Sequence, residues 1–115
     1  MKMRAMLTVA AAAAFSTIPT FAQDDAILGF GAYPCEKYVE YRDLGQHALA
    51  SAVATWVQGY LTAENVELMR RDQPILRYVA PDDMDAFLLK DCQAHLHDPI
   101  FASAGRLAHS LSAQR

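Results

Sequence analysis

Hydrophobic residues recur every three or four positions through most of this chain, with polar residues between them. The longest such stretch runs from Gln46 to about Arg70, where Leu49, Val53, Trp56, Val57, Tyr60 and Leu61 form one stripe. That spacing predicts an amphipathic helix. Alanines on its flanks favour the same state. Met69, Arg70 and Arg71 fall near its end, where cations complement the helix dipole. Gly59 sits inside it, and an interior glycine costs a helix about 1 kcal/mol relative to alanine. Its presence therefore predicts close approach by a neighbouring helix.

The same period marks three shorter helices. Cys35, Tyr38, Val39 and Arg42 share a face after Pro34, a residue suited to a first helical turn, which predicts a helix over about 35–42. Asp43-Leu44-Gly45 breaks it. Residues 72–80 contain Pro74 and read as a connector, with Ile75, Leu76, Tyr78 and Val79 expected to pack inward. Pro81-Asp82-Asp83 opens the next helix, with Asp as its cap. Met84, Phe87, Leu88, Cys92 and His95 or Leu96 supply its inner face. Asp98 as cap and Pro99 in the first turn start the last helix, whose period runs through Ile100, Ala104, Leu107, Ala108 and Leu111. No strand-like alternation competes. The pattern predicts an all-α fold, four helices in a small bundle or orthogonal array.

Ahead of the helices the pattern changes. Lys2 and Arg4 precede an apolar run from Ala5 to Phe15, and Ser16 to Ala22 forms a small-residue exit. This is the layout of a secretory signal peptide over 1–22, with cleavage after Ala22. The run is shorter than the roughly 20 apolar residues a bilayer span needs. Residues 23–33, with Gly29, Gly31, Ile27, Leu28 and Phe30, lack a period and read as an extended or loosely ordered arm, one that can lie on the core. Residues 34–115 make one helical domain. Export places the protein in an oxidising space, expected to be a periplasm, where the chain's two cysteines, Cys35 and Cys92, should form one disulfide stapling the bundle. Two free thiols, or one thiol on a metal, are the alternatives. The bridge is expected to tie the start of the first helix to the middle of the third.

Charge narrows the partners. Without Lys2 and Arg4, eight bases face thirteen acids, a formal charge of −5 with His neutral. That argues against nucleic acid and against an anionic membrane surface. In strong acid, neutral carboxylates and four charged His carry the same chain toward about +12. Candidate chemistry is sparse. Asp91 and His95 share a helix face, but His97 points away from them, so a metal set does not converge. Asp82 and Asp83 read as capping residues, and no serine or threonine sits in a nucleophile-elbow pattern. No catalytic residue, metal or cofactor is expected. Arg70-Arg71 with Arg77 forms a small basic cluster, read as a solvated helix end or as a match for a partner's acids. Trp56, Gly59, Tyr60 and Leu61 are the candidate core or interaction surface.

Cys35-Glu36-Lys37-Tyr38-Val39, Trp56-Val57-Gln58-Gly59-Tyr60-Leu61, then an acidic helix with Cys92, Pro99 and a final amphipathic helix, together resemble the HdeA/HdeB family of periplasmic acid-stress chaperones. Two cysteines around a Trp-x-x-Gly-Tyr-like helix are also similar to Tai-type immunity proteins. The first resemblance implies a dimer at neutral pH that dissociates in acid and holds denatured client proteins on newly exposed apolar surface. The second implies a periplasmic inhibitor bound to one dedicated protein partner. Neither implies an enzyme.

Overall fold

The computed structural model describes residues 26–112. The signal peptide expected over 1–22, the first residues of the expected arm and residues 113–115 lie outside the described residues. Four helices follow one another: α1 (Cys35–Asp43), α2 (His47–Arg70), α3 (Pro81–Ala94) and α4 (Ile100–Leu111). A short 3-10 helix, Gly29–Ala32, precedes them. The fold is all-α, as the hydrophobic period predicts, and the four helices lie where it places them, except that α3 ends earlier than expected.

The core is where the stripes meet. Tyr38 of α1, Val53, Val57 and Leu61 of α2, Met84 and Leu88 of α3, and Ile100, Ala104 and Leu107 of α4 are all buried. α1 packs on α3 and α2, α4 packs on α2 and α3, and the 3-10 helix lies across α2 and α4. Cys35 and Cys92 form the disulfide, with their Cα atoms 4.9 Å apart. Cys92 stands near the end of α3 rather than in its middle, because α3 stops at Ala94. His95 and Leu96, expected on its inner face, are instead exposed beyond that end.

α1 and α2 end alike. Gly45 (φ 66°) and Asp72 (φ 56°) both take the left-handed conformation just past a helix. After α1, Gln46 N–H donates to the Tyr41 carbonyl at 2.8 Å and Gly45 N–H to that of Arg42 at 3.3 Å. After α2, Gln73 N–H donates to Leu68 and Asp72 N–H to Met69, at 2.9 and 3.2 Å. This is the Schellman arrangement, which satisfies carbonyls that a helix end leaves open.

The helix starts differ from expectation. Pro34 and Pro99 are not in the first turns; each stands just before its helix with extended backbone (ψ 147° and 152°). The two segments pair antiparallel through an isolated bridge. Cys35 N–H donates to the Asp98 carbonyl (2.7 Å), Glu36 N–H to that of Leu96 (2.9 Å), and Ile100 N–H to that of Tyr33 (2.8 Å). The first amides of α1 and α4 thus find partners on each other's leading segments, so neither needs a side-chain cap. Asp98 does not cap α4 through its side chain. Nor do Asp82 and Asp83 cap α3; they lie in its first turn, where their charge still complements the dipole.

Two further expectations are corrected. A Cβ built on Gly59 meets nothing within 4 Å, so no helix approaches there. Gly59 faces solvent, on the side of α2 away from Val57 and Leu61. In the connector only Leu76 is buried; Ile75 and Tyr78 are 53% and 86% exposed. The connector is held at Leu76 and Arg77 by bonds to Asn65 and Leu111, which turn Leu76 inward and leave Ile75 and Tyr78 outside.

Candidate functional site

Three features outside the main core carry the chemistry of the surface. The first is the arm. Its described part is neither extended nor loose: Gly29–Ala32 is a 3-10 helix, and Trp56 donates from Nε1 to the Leu28 carbonyl at 2.8 Å. Gly31 is buried directly against the indole, so close that a Cβ there would overlap the ring. Phe30 and Tyr33 meet edge to face at 5.1 Å. Trp56 and Tyr60 are tilted neighbours with ring centres 5.9 Å apart, and both are half-buried. Of the four residues expected to share a core or interaction surface, Leu61 is in the core and Gly59 is exposed. Trp56 and Tyr60 remain together, Trp56 beneath the arm and Tyr60 beside Gly105 of α4.

The second is a single guanidinium joined to two carboxylates. Arg106 on α4 donates to both Asp91 oxygens at 2.8–3.0 Å, and its Nη1 donates to Asp98 at 2.9 Å. Asp91 belongs to α3 and Asp98 to the turn after it, so this one side chain fastens the α3–α4 corner. Partial burial alone would raise the Asp91 carboxyl. Hydrogen bonds from Arg106, aided by the Ser103 hydroxyl and the charges of Arg106 and His95, outweigh it and hold the carboxyl below its usual value. Ser103 Oγ is buried without a partner at bonding distance, so its share in this is the smaller one. His95 Nδ1 sits 2.9 Å from the Asp91 carbonyl and 3.6 Å from its carboxylate. Asp91 is thus engaged by Arg106, not available beside His95 as a ligand pair. Among the described residues no group of three or more His, Cys, Asp or Glu is placed to hold a metal.

The third is a groove of about 520 Å³ between α2, the connector, the start of α3 and the end of α4. The connector is pinned along its wall. Leu76 N–H donates to Asn65 Oδ1 at 2.9 Å, and Arg77 N–H to the Leu111 carbonyl at 2.9 Å. Arg77 Nη2 donates to the Ser110 carbonyl at 2.7 Å. Arg70 and Arg71 instead pair with Glu67, at 3.9 and 2.9 Å, so the expected basic cluster is divided between two tasks.

No family model matches this chain, and neither a curated protein nor a solved structure does. Function therefore rests on the physical chemistry of these surfaces. No described helix is long and apolar enough to cross a membrane. The sequence period pointed to Trp56 and Tyr60 but missed Arg106, whose partners lie fifteen and eight residues away. The groove was hidden as well, because the connector was expected to close over the core.

Proposed function

We propose that the mature chain is an exported, acid-responsive holdase that binds denatured proteins on apolar surface uncovered at low pH. The observation that carries this reading is the Arg106 clasp on Asp91 and Asp98, which fastens the α3–α4 corner through charge. The Asp91 carboxyl is held below its ordinary value of 3.8 in the folded protein. Its contribution to stability is therefore present above that value and lost as pH falls through the lower, folded one. Loss of the clasp frees the corner, while the disulfide keeps α1 and α3 joined.

Asp85 works in the opposite direction. Burial raises its carboxyl above 3.8, with Asp82 adding to the rise and Arg42 opposing it. A raised carboxyl favours the folded state below the unfolded value, and that contribution fades as pH rises through the folded one. Asp85 lies near Tyr38 and Arg42 on α1. Acid thus loosens the α3–α4 corner while easing strain at the α1–α3 seam, which favours a partial opening over complete unfolding. The resemblance to acid-stress chaperones and the oxidising compartment implied by the disulfide support the same reading.

An apolar dye tests it in an acid titration of the intact protein. Dye emission should rise as pH falls below the ordinary carboxylate range and reverse on neutralisation. A flat emission down to about pH 2, well below ordinary carboxylate values, contradicts the proposal.

A second reading, an inhibitor bound to one protein partner, is favoured by the pinned groove. That groove is open in the folded state and needs no acid to form.

A further inference from the structure

The geometry points to the α2–connector groove as a docking site for an extended, apolar segment of another protein that carries a carboxylate. This concerns the folded protein at neutral pH and goes beyond the acid response.

Three observations carry it. First, the groove is built rather than accidental: Asn65, Leu111 and Ser110 hold the connector at Leu76 and Arg77 by three hydrogen bonds of 2.7–2.9 Å. A pinned wall limits the ordering cost of binding. Second, its apolar surface is already exposed. Tyr78 is 86% exposed and Ile75 53%, flanking a floor that includes Leu61 and Met84. Neighbouring exposed apolar side chains rimmed by polar ones mark interaction sites. Third, its charge is selective. Among the described residues lining it, Arg77 is the only charged one, in a chain with more acids than bases. Gln58, Thr62 and Asn65 complete the polar rim. The Arg77 side chain donates to the Ser110 carbonyl, and a guanidinium has five N–H donors. The remaining donors suit a carboxylate.

Residues 73–80, which form the wall, have no regular secondary structure, and a groove of about 520 Å³ admits an extended segment better than a helix about 10–12 Å across. A second copy of this chain is the poorer occupant. A two-fold pairing through the groove would bring Arg77 against Arg77, with no acid in the lining to offset them.

The test is selection of random peptides displayed on phage against the intact, disulfide-bonded protein at neutral pH. Synthetic copies of the selected peptides are then titrated by fluorescence anisotropy. Selected peptides should combine several apolar residues with an Asp or Glu. Replacing that acid by its amide should weaken binding at least tenfold. Arg77→Glu should weaken it as much. Because Arg77 also anchors the connector, Thr62→Glu supplies the same charge test with the anchor intact. Thr62 is exposed and its hydroxyl bonds only within α2, so circular dichroism should be unchanged. Failure to enrich any peptide overturns the inference, as does enrichment of peptides without acids or binding indifferent to Thr62→Glu. None of these outcomes bears on acid-induced client binding, which is measured separately.

Discussion

Gly31 and Gly59 have nearly opposite roles, and only their neighbours separate them. Gly59 lies in α2 with open space around it, so Gly59→Ala should stabilise the protein by about 0.5–1 kcal/mol through helix propensity and a less flexible unfolded chain. Gly31 lies against the Trp56 ring, and Gly31→Ala should cost about 1–3 kcal/mol or lift the arm. The chain has a single tryptophan, so fluorescence reads this site alone. Thermal midpoints should move in opposite directions, with a red shift of emission for Gly31→Ala only. An unshifted midpoint and spectrum for Gly31→Ala would mean that the arm does not rest on Trp56. The sequence marks both glycines, but the period assigns the close approach to Gly59, inside a helix. The true close approach depends on where an aperiodic arm folds back, which local pattern does not encode.

The helices themselves were legible, because burial of one face imposes a period on the sequence. Cys35 and Tyr38, then Val53, Val57 and Leu61, then Met84 and Leu88, lie in the core as their spacing requires. Their junctions were not. Pro34 and Pro99 stand before their helices rather than in the first turns, because a backbone pairing joins these residues, which are far apart in sequence. The same holds for Arg106, which fastens α4 to α3 and to the turn after it. Arg106→Met leaves Asp91 partly buried and without its cation. It should cost about 1–2 kcal/mol at neutral pH, toward the low end because Arg106 remains partly exposed. It should also flatten the loss of stability in acid. Urea midpoints across an acid series measure both, and an unchanged acid dependence would remove the clasp from the mechanism.

At the scale of the molecule, the disulfide sets how far an opened state can spread. Its ends are 57 positions apart, and a loop of that size restricts the unfolded chain by about 4 kcal/mol in the chain-entropy account. Reduction with alkylation should lower the denaturant-derived stability by an amount of that order. It should also turn partial opening in acid into full unfolding, seen as loss of far-ultraviolet helical signal. The account of the whole protein rests on one conversion: a folded, clasped bundle at neutral pH and an opened, disulfide-tethered apolar surface in acid. The most direct test follows light scattering of an acid-denatured client protein with this protein at about pH 3 and at neutral pH, on either side of the ordinary carboxylate range. The account predicts suppressed aggregation in acid and none at neutral pH, with Arg106→Met shifting the onset toward neutrality. Equal scattering with and without the protein in acid would contradict it.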